Sequence, residues 1–390
     1  MVWMGFIVSL AAILVISRKN LALALISGAI ILGLFTLSLD SLLDRIIYTI
    51  TDSSIMLLAL AMGVIPLIGG TMKESGQIDS LVSNVRISKR YMLPFSAALM
   101  GLLPMPGGAL LSAPIIEKAG EGVADDLKAA INNWFRHLFI MMYPLSPALI
   151  ASAKICDLDL YVTVIYLIPG ALLAALVGYV FYLRKVHGKL KHDDIFSWKE
   201  LSIPLIVILS APILDFSLKR ILSISSLATL IGVVTGLVLS IVLSRRRLDL
   251  KHIAAKMKPW NFSLILVGMF LYLHVFQESD ASNLIAWISL PPLTLAIVAG
   301  FVLGLLTGRV QLPGSIVYPV YLAATGGITP ILFALIYVAI FFGYIISPVH
   351  PCLVVTCEYF HVPIKRMIDR LAVPTAVVMG IVIFLSILVM

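Results

Sequence analysis

Charged residues are scarce in this chain. Asp, Glu, Lys and Arg make up 12% of its 390 residues, whereas 61% are hydrophobic and the mean hydropathy is +1.07. Soluble domains carry about 25% charged residues, and no soluble core could bury this much apolar surface. The composition therefore excludes a soluble globular protein. Because runs of about 20 apolar residues recur, the chain is predicted to be an all-α polytopic membrane protein rather than a barrel.

Cysteines and enzyme motifs are also scarce or missing. The three cysteines, Cys156, Cys352 and Cys357, form no CxxC pair and no histidine stands at zinc spacing, so neither a disulfide framework nor a metal site is expected. HExxH, GxSxG and GxxxxGK[ST] are absent. We therefore predict no catalytic residues, no bound metal, no cofactor and no enzymatic activity.

Carboxylates are missing near the middle of the predicted crossings. Proton antiporters usually need a titratable carboxylate there. If the chain is a transporter driven by an ion gradient, the coupling ion would therefore be a proton carried by His350 or a sodium ion held by carbonyl and hydroxyl groups.

The net charge of +8 reflects membrane topology rather than nucleic-acid binding, because most Lys and Arg residues cluster in a few loops between crossings. The first apolar run has no basic residue before it, and Arg18 and Lys19 follow it. This order predicts a retained first crossing with its N-terminus outside. The loops then place both termini outside the cytoplasmic membrane of a prokaryote.

Two apolar segments are interrupted by prolines. In residues 343–360, Pro348 and Pro351 remove backbone donors on either side of His350, so a continuous helix is not expected. Freed carbonyls are tolerated in a membrane only against protein or a water-filled cavity. Residues 146–158 repeat this layout 201 positions earlier. We interpret residues 132–156 and 329–360 as broken helices.

Two further apolar regions are too short in each arm to cross. Residues 91–103 and 107–119 flank PMPGG, and residues 293–308 and 315–325 flank RVQLPGS. An arm of about 20 Å does not span a core of about 30 Å. Residues 91–119 and 293–325 are therefore predicted to be re-entrant hairpins that enter from opposite faces.

Collinear matches predict an internal duplication. Glu74-Ser75 matches Glu278-Ser279 at a spacing of 204, and Gly101, Pro106 and Gly107 match Gly308, Pro313 and Gly314 at 207. The predicted fold is an inverted-topology repeat with about ten crossings, two hairpins and two broken helices. Its parts are residues 1–183, a cytoplasmic linker at 184–200, and residues 201–390.

Arg309 is the most informative single residue, because it lies in an apolar hairpin arm and its counterpart Leu102 is uncharged. An arginine at the centre of a membrane helix costs roughly 2.5 to 3.5 kcal/mol and needs an anionic partner. It either binds an anionic substrate group, pairs with a protein carboxylate, or snorkels to the surface.

His350 could donate to a substrate, carry a proton, or satisfy a helix end. Ser146 and Ser347 could be hydroxyl ligands or could satisfy local backbone. Arg136 and His137, placed near the start of a crossing, are attributed to capping and snorkelling. The predicted substrate-binding residues are Pro106, Gly107, Gly108, Ser146, Arg309, Gln311, Pro313, Gly314, Ser315, Ser347 and His350.

PMPGG, QLPGS and SPVHPC resemble motifs of the ion transporter superfamily, which includes gluconate, citrate and dicarboxylate permeases. Within it the chain most resembles a prokaryotic integral membrane family, domain of unknown function 401. The resemblance implies an elevator-type carrier, often dimeric, that moves anions with sodium or protons. It also implies that both hairpin tips and both helix breaks surround the substrate. The Ser-Asn-Thr signature of the dicarboxylate branch is present at neither tip.

The first functional hypothesis is therefore a secondary active transporter for a small anion, such as an organic acid, coupled to sodium or protons. Its expected partners are the anionic substrate, the lipid bilayer and a second copy in a homodimer, with no nucleic acid. An ion channel or a non-transporting membrane protein is the alternative, and an intramembrane enzyme is a more distant one.

Overall fold

The computed structural model describes residues 2–102, 108–188, 196–222, 226–279 and 291–389. Within these ranges every regular element is helical, so the predicted all-α class is confirmed. The helices are α1 (Val2–Ser17), α2 (Leu21–Thr36), α3 (Leu39–Thr51), α4 (Ser53–Glu74), α5 (Gln77–Asn84), α6 (Lys89–Gly101), α7 (Ala109–Ala119), α8 (Asp125–Met142), α9 (Pro147–Ile155), α10 (Leu160–Gly178, continued by a π-helical turn Tyr179–Leu183), α11 (Trp198–Leu222), α12 (Ser226–Val242), α13 (Leu250–Met257), α14 (Pro259–Glu278), α15 (Pro292–Thr307), α16 (Gln311–Thr325), α17 (Pro330–Ile346), α18 (Pro351–Tyr359) and α19 (Ile364–Val389).

Several helices are suited to cross a membrane. In the described ranges six candidate spans are long and apolar enough, and a seventh is formed if α8 and α9, bent by 42° at their break, count as one. Those spans are Ser53–Glu74, Leu160–Leu183, Trp198–Leu222, Pro259–Glu278, Pro330–Tyr359 and Ile364–Val389. Large apolar side chains such as Leu172, Leu176 and Ile221 remain exposed on the helices, as a lipid-facing surface requires. The chain is a multi-pass membrane protein.

The second half of the chain repeats the helices of the first. The pair α9 and α10 begins at Pro147 and Leu160, and the pair α18 and α19 begins 204 residues later in each case. Backbone conformations repeat at the same spacing, because Gly122 and Gly326 have φ of 77° and 74°. Asp157 and His361 likewise have φ of 52° and 53°. Matching left-handed residues support the duplicated architecture.

This spacing corrects the predicted register of the broken helices. The break between α8 and α9 ends at Pro147, and the break between α17 and α18 ends at Pro351. Ser146 therefore corresponds to His350 and not to Ser347. The register is fixed by the proline at the first position of α9 and of α18, since the first N–H of a helix has no intrahelical acceptor and its absence costs nothing. The serine and cysteine matches at 201 are coincidental.

The observed tip of the second hairpin is also shorter than the predicted one. Helix α16 begins at Gln311, so Pro313, Gly314 and Ser315 lie in its first two turns rather than in a loop. Pro313 is compatible with this position because the first N–H groups of a helix have no intrahelical acceptor. The loop between the arms is Gly308 to Val310, and Gly308 has φ of 58°. The tip of the first hairpin, which includes Pro106 and Gly107, lies outside the described residues.

Glycines allow α15 and α17 to pack at backbone contact. A Cβ atom on Gly343 would overlap the carbonyl oxygen of Phe301, and one on Gly304 would overlap the carbonyl oxygen of Ile340. Backbone atoms cannot move aside as a flexible side chain can. The second hairpin is thereby held against the second broken helix.

We expect Gly343→Ala to destabilise the protein by about 1 to 3 kcal/mol, because the added methyl group must push α15 and α17 apart. The melting temperature of the purified protein in detergent measures this effect. Gly380→Ala is the matched control, since Gly380 lies in α19 and no atom of another described element lies within 4 Å of the position of its Cβ. Equal melting temperatures for the two variants would contradict the close packing.

Helix α8 lies at the centre of the molecule and is buried along most of its length, polar residues included. Asn132 accepts a hydrogen bond from Ser112 at 2.6 Å and donates one to Thr356 in α18 at 3.1 Å. Asn133 donates to the carbonyl oxygen of Ile345 at 3.0 Å. These buried hydrogen bonds join the two broken helices and the first hairpin, and they position the next turn of α8.

Candidate functional site

A cavity of about 250 Å³ lies between the two broken helices and the second hairpin. The residues that line it come from α6, α8, the two breaks, α14, the tip of the second hairpin and α17. They are Gly101, Arg136, His137, Ile140, Ser146, Pro147, Ala148, Phe262, Gly308, Arg309, Val310, Gln311, Phe341, Tyr344, His350, Pro351 and Cys352.

The cavity lies where the two halves of the repeat meet. Five pairs of lining residues are separated by 204 positions, the spacing of the repeat. They are His137 and Phe341, Ile140 and Tyr344, Ser146 and His350, Pro147 and Pro351, and Ala148 and Cys352. Equivalent positions therefore face the same space, and in four of the five pairs they carry different side chains, the exception being Pro147 and Pro351.

Two arginines face this cavity. Arg136 is 5% exposed, and its Nη1 atom is buried without a hydrogen-bond partner in the part of the chain that the structure describes. Arg309 is partly buried, and its Nη2 atom is 3.5 Å from the carbonyl oxygen of Ser17. Among the described residues no Asp or Glu lines the cavity, and none forms an ion pair with either arginine. The cavity therefore carries excess positive charge.

Helix ends add to this positive potential. Helices α9 and α18 begin at Pro147 and Pro351, and both prolines line the cavity. The first N–H groups of a helix have no intrahelical acceptor, and the helix dipole places partial positive charge at this end. With two arginines and two helix N-termini around one space, the site favours a negatively charged ligand.

Imidazole and phenol groups form another wall of the cavity. The rings of His137 and His350 have centroids 4.7 Å apart, and the Tyr344 hydroxyl is 3.2 Å from Nε2 of His137. His137 donates from Nδ1 to the carbonyl oxygen of Asn133, so Nε2 is unprotonated and accepts from the Tyr344 hydroxyl. His350 is fully buried, and neither ring nitrogen has a hydrogen-bond partner among the described residues. His137, His350 and Cys352 place their ligand atoms within 4.8 Å of one another.

Four of the predicted site residues line the cavity: Ser146, Arg309, Gln311 and His350. Gly108 is buried beside it, and a Cβ atom there would overlap Nη2 of Arg136.

The remaining predicted residues lie elsewhere. Ser315 and Ser347 are buried and donate to the carbonyl oxygens of Leu312 at 2.8 Å and Leu305 at 2.6 Å, outside the cavity lining. Pro313 and Gly314 are buried in α16 and do not line the cavity either. Pro106 and Gly107 lie outside the described residues.

Arg136, His137, Tyr344 and Cys352 were missed by the sequence reasoning. The crossing that contains Arg136 and His137 was expected to begin at residue 132, but α8 begins at Asp125. Arg136 is therefore three turns inside the helix, which excludes capping, and its side chain is buried rather than extended to the surface, which excludes snorkelling. The signal that could have identified it is an arginine and a histidine, adjacent in sequence, ahead of the first break.

Comparison with known proteins gives a structural relative and a family. The structure is similar to that of the YdaH transporter of Alcanivorax borkumensis, with a TM-score of 0.57 and 16% identity, covering 94% of this chain and 96% of that chain. At this identity the likeness shows a shared fold. The chain belongs to the family described as protein of unknown function (DUF401), whose model matches residues 3–390. None of the curated proteins matches the sequence.

Proposed function

We propose that this protein is a secondary active transporter for a small anion, such as an organic acid. The observation that carries the proposal is the pair Arg136 and Arg309, which face one cavity without a carboxylate partner among the described residues. A buried arginine is costly without a counter-charge, and a carboxylate or phosphate can occupy its planar fork with two hydrogen bonds. A substrate anion supplies the missing charge.

The volume of the cavity bounds the substrate. A space of about 250 Å³ is slightly smaller than most small-molecule sites, which measure about 300 to 1,000 Å³. It suits an organic acid of a few carbons or an inorganic oxyanion better than a peptide or a lipid.

An elevator mechanism is the proposed mode of movement. Of the residues known to line the cavity, all except Phe262 belong to the hairpins or the broken helices. The substrate would therefore travel with these elements as one body, sliding past α14 and α1. Arg309 already reaches across to Ser17 of α1. Coupling to sodium or to protons completes the proposal, and a homodimer and the prokaryotic cytoplasmic membrane remain predictions.

Uptake by reconstituted protein tests transport. We expect proteoliposomes to accumulate a radiolabelled organic acid with saturable kinetics and to depend on an imposed sodium or proton gradient. Uptake that never saturates and never exceeds equilibrium would indicate a channel instead. Chemical change of the acid during the assay would indicate an enzyme.

The inverted topology makes a separate prediction. Single cysteines placed beside residues 90 and 120, in a variant without the native cysteines, should react with a membrane-impermeant maleimide from the same side. Cysteines beside residues 291 and 326 should both react from the opposite side. Labelling of the two ends of one hairpin from different sides would contradict the re-entrant hairpin and the inverted repeat together.

A further inference from the structure

His137, His350 and Cys352 converge in the wall of the cavity although they are distant in sequence. His137 lies in α8, His350 precedes α18, and Cys352 is the second residue of α18. Their potential ligand atoms lie within 4.8 Å of one another. Two nitrogens and one sulfur around tetrahedral zinc lie about 3.3 to 3.5 Å apart, given metal–nitrogen bonds of about 2.0 Å and a metal–sulfur bond of about 2.3 Å. The three ligand atoms would have to approach one another by up to about 1.5 Å to reach that geometry.

His350 stacks on Tyr344, with ring centroids 3.9 Å apart, and the backbone of Ile345 lies near its ring, but neither ring nitrogen reaches hydrogen-bond geometry among the described residues. His350 is fully buried. A buried polar group without a partner costs free energy, and such a group in a native structure points to an ion, a water molecule or a ligand.

His137 has the arrangement of a metal ligand. Its Nδ1 donates to the backbone carbonyl oxygen of Asn133, so Nε2 carries the lone pair. That lone pair accepts a hydrogen bond from the Tyr344 hydroxyl at 3.2 Å, which a bound metal ion would replace. Histidines that bind metals almost always donate their other nitrogen to a carbonyl or carboxylate in this way. The hydrogen bond fixes both the tautomer and the ring.

We propose that His137, His350 and Cys352 form a binding site for a soft divalent cation such as Zn²⁺, with its open coordination position facing the cavity. Two nitrogens and one sulfur suit zinc better than calcium or magnesium, which take oxygen ligands. Three protein ligands with one open position is also the composition of zinc sites that bind a substrate or water.

The charges around the site indicate that a metal ion would bind together with the Cys352 thiolate and an anion. Arg136 and Arg309 line the same cavity and oppose a cation. The thiolate of Cys352 cancels one of the two charges of the metal ion, and an anion in the cavity can occupy the open position while contacting the arginines. When the metal binds, the metal–sulfur bond replaces the sulfur–hydrogen bond, and one proton passes to solvent.

Titration with Co²⁺ alone, used as a spectroscopic substitute for Zn²⁺, tests the site without requiring knowledge of the transported anion. The full-length protein is purified in detergent with a tag that contains no histidine. We expect one Co²⁺ per chain, with a thiolate-to-cobalt charge-transfer band in the near ultraviolet and a tetrahedral spectrum in the visible. Addition of Zn²⁺ should remove both.

Cys352→Ser should abolish the charge-transfer band, and His350→Asn should weaken Co²⁺ binding at least about tenfold. Cys357→Ser is the matched control, because Cys357 is buried in the same helix but does not line the cavity. Unchanged melting temperatures without metal show that the variants are folded. Binding without the band, no stoichiometric binding, or an unaltered band in Cys352→Ser would overturn the proposal. The Co²⁺ spectrum does not depend on transport, so the metal site and the proposed anion transport are tested separately.

Discussion

Replacing Arg136 by glutamine should weaken anion binding about 10- to 100-fold and leave the protein folded. A hydrogen bond to a charged group contributes about 1.5 to 3 kcal/mol, and about 1.4 kcal/mol corresponds to a factor of ten in affinity. Arg309→Gln should have an effect of the same size. Arg136→Lys and Arg309→Lys keep the charge but lose the planar fork, so intermediate affinities are expected.

The melting temperature distinguishes this role from a structural one. If either arginine neutralised a buried protein carboxylate, its loss would leave that partner uncompensated, at a cost of about 3 to 5 kcal/mol. The described residues include no such partner, so the melting temperature should change little. Arg220→Gln is the control for loss of an arginine, since Arg220 is 57% exposed and lies outside the cavity lining. Normal anion uptake by stable Arg136→Gln and Arg309→Gln proteins would contradict the proposed substrate site.

Replacing Lys219 by methionine should destabilise the protein by about 3 to 5 kcal/mol. Asp215 is fully buried in α11, and Lys219 pairs with it at 2.9 Å. Asp215 also accepts hydrogen bonds from Tyr161 at 2.6 Å and Thr229 at 2.8 Å. Two neutral donors do not replace a cation, so the variant leaves an unpaired charge away from water. A fall in melting temperature in detergent measures the loss.

The double variant Asp215→Asn/Lys219→Met should recover most of this stability. Asparagine keeps an acceptor for the hydroxyl groups but removes the charge that methionine leaves unpaired. Methionine in place of Arg220, which lies next to Lys219 but is exposed, should change stability by less than about 0.5 kcal/mol. A double variant that is less stable than the single one would show that the ion pair itself does not determine the effect.

The all-α membrane class could be predicted from the sequence because apolar runs and prolines determine helix formation and helix breaks within short stretches of the chain. A long apolar run must be a helix in a membrane, since its backbone groups have no other partners there. The prolines at 348 and 351 identified a break for the same reason. The spacing of the broken helices was predicted wrongly at 201, because short coincidental matches are common in a chain of biased composition, whereas the match of Glu74-Ser75 with Glu278-Ser279 has the observed spacing of 204. Prolines at the helix starts carried the correct spacing.

The site could be predicted only where a residue conflicted with its local surroundings. Arg309 and His350 were identified because each interrupts an apolar run, and both line the cavity. Arg136 and His137 were dismissed because a helix boundary was misplaced by seven residues. Cys352 looked like any small apolar residue. Its proximity to His137 depends on the packing of α8 against α18, which no local pattern reveals.

Buried Asp215 illustrates the same limit. Residues 201–217 are predicted as a crossing, and Asp215 lies near the end of it rather than near the middle. In the structure it is enclosed by α10, α11 and α12 and is compensated by Lys219 one turn away. A lysine four positions after an aspartate is a visible pairing signal, but the burial of the aspartate is a property of the tertiary structure.

Anion binding in the cavity is the central claim, and a ligand-dependent shift in melting temperature tests it most directly. Wild-type protein and the double variant Arg136→Gln/Arg309→Gln are heated in detergent with a panel of organic and inorganic anions at increasing concentration, with sodium and pH varied. A ligand that binds only the folded state raises its stability in proportion to the logarithm of its concentration. At least one small anion should stabilise the wild-type protein in this way and leave the double variant unaffected. Equal stabilisation of both proteins, or stabilisation of the wild type by no anion, would contradict the claim.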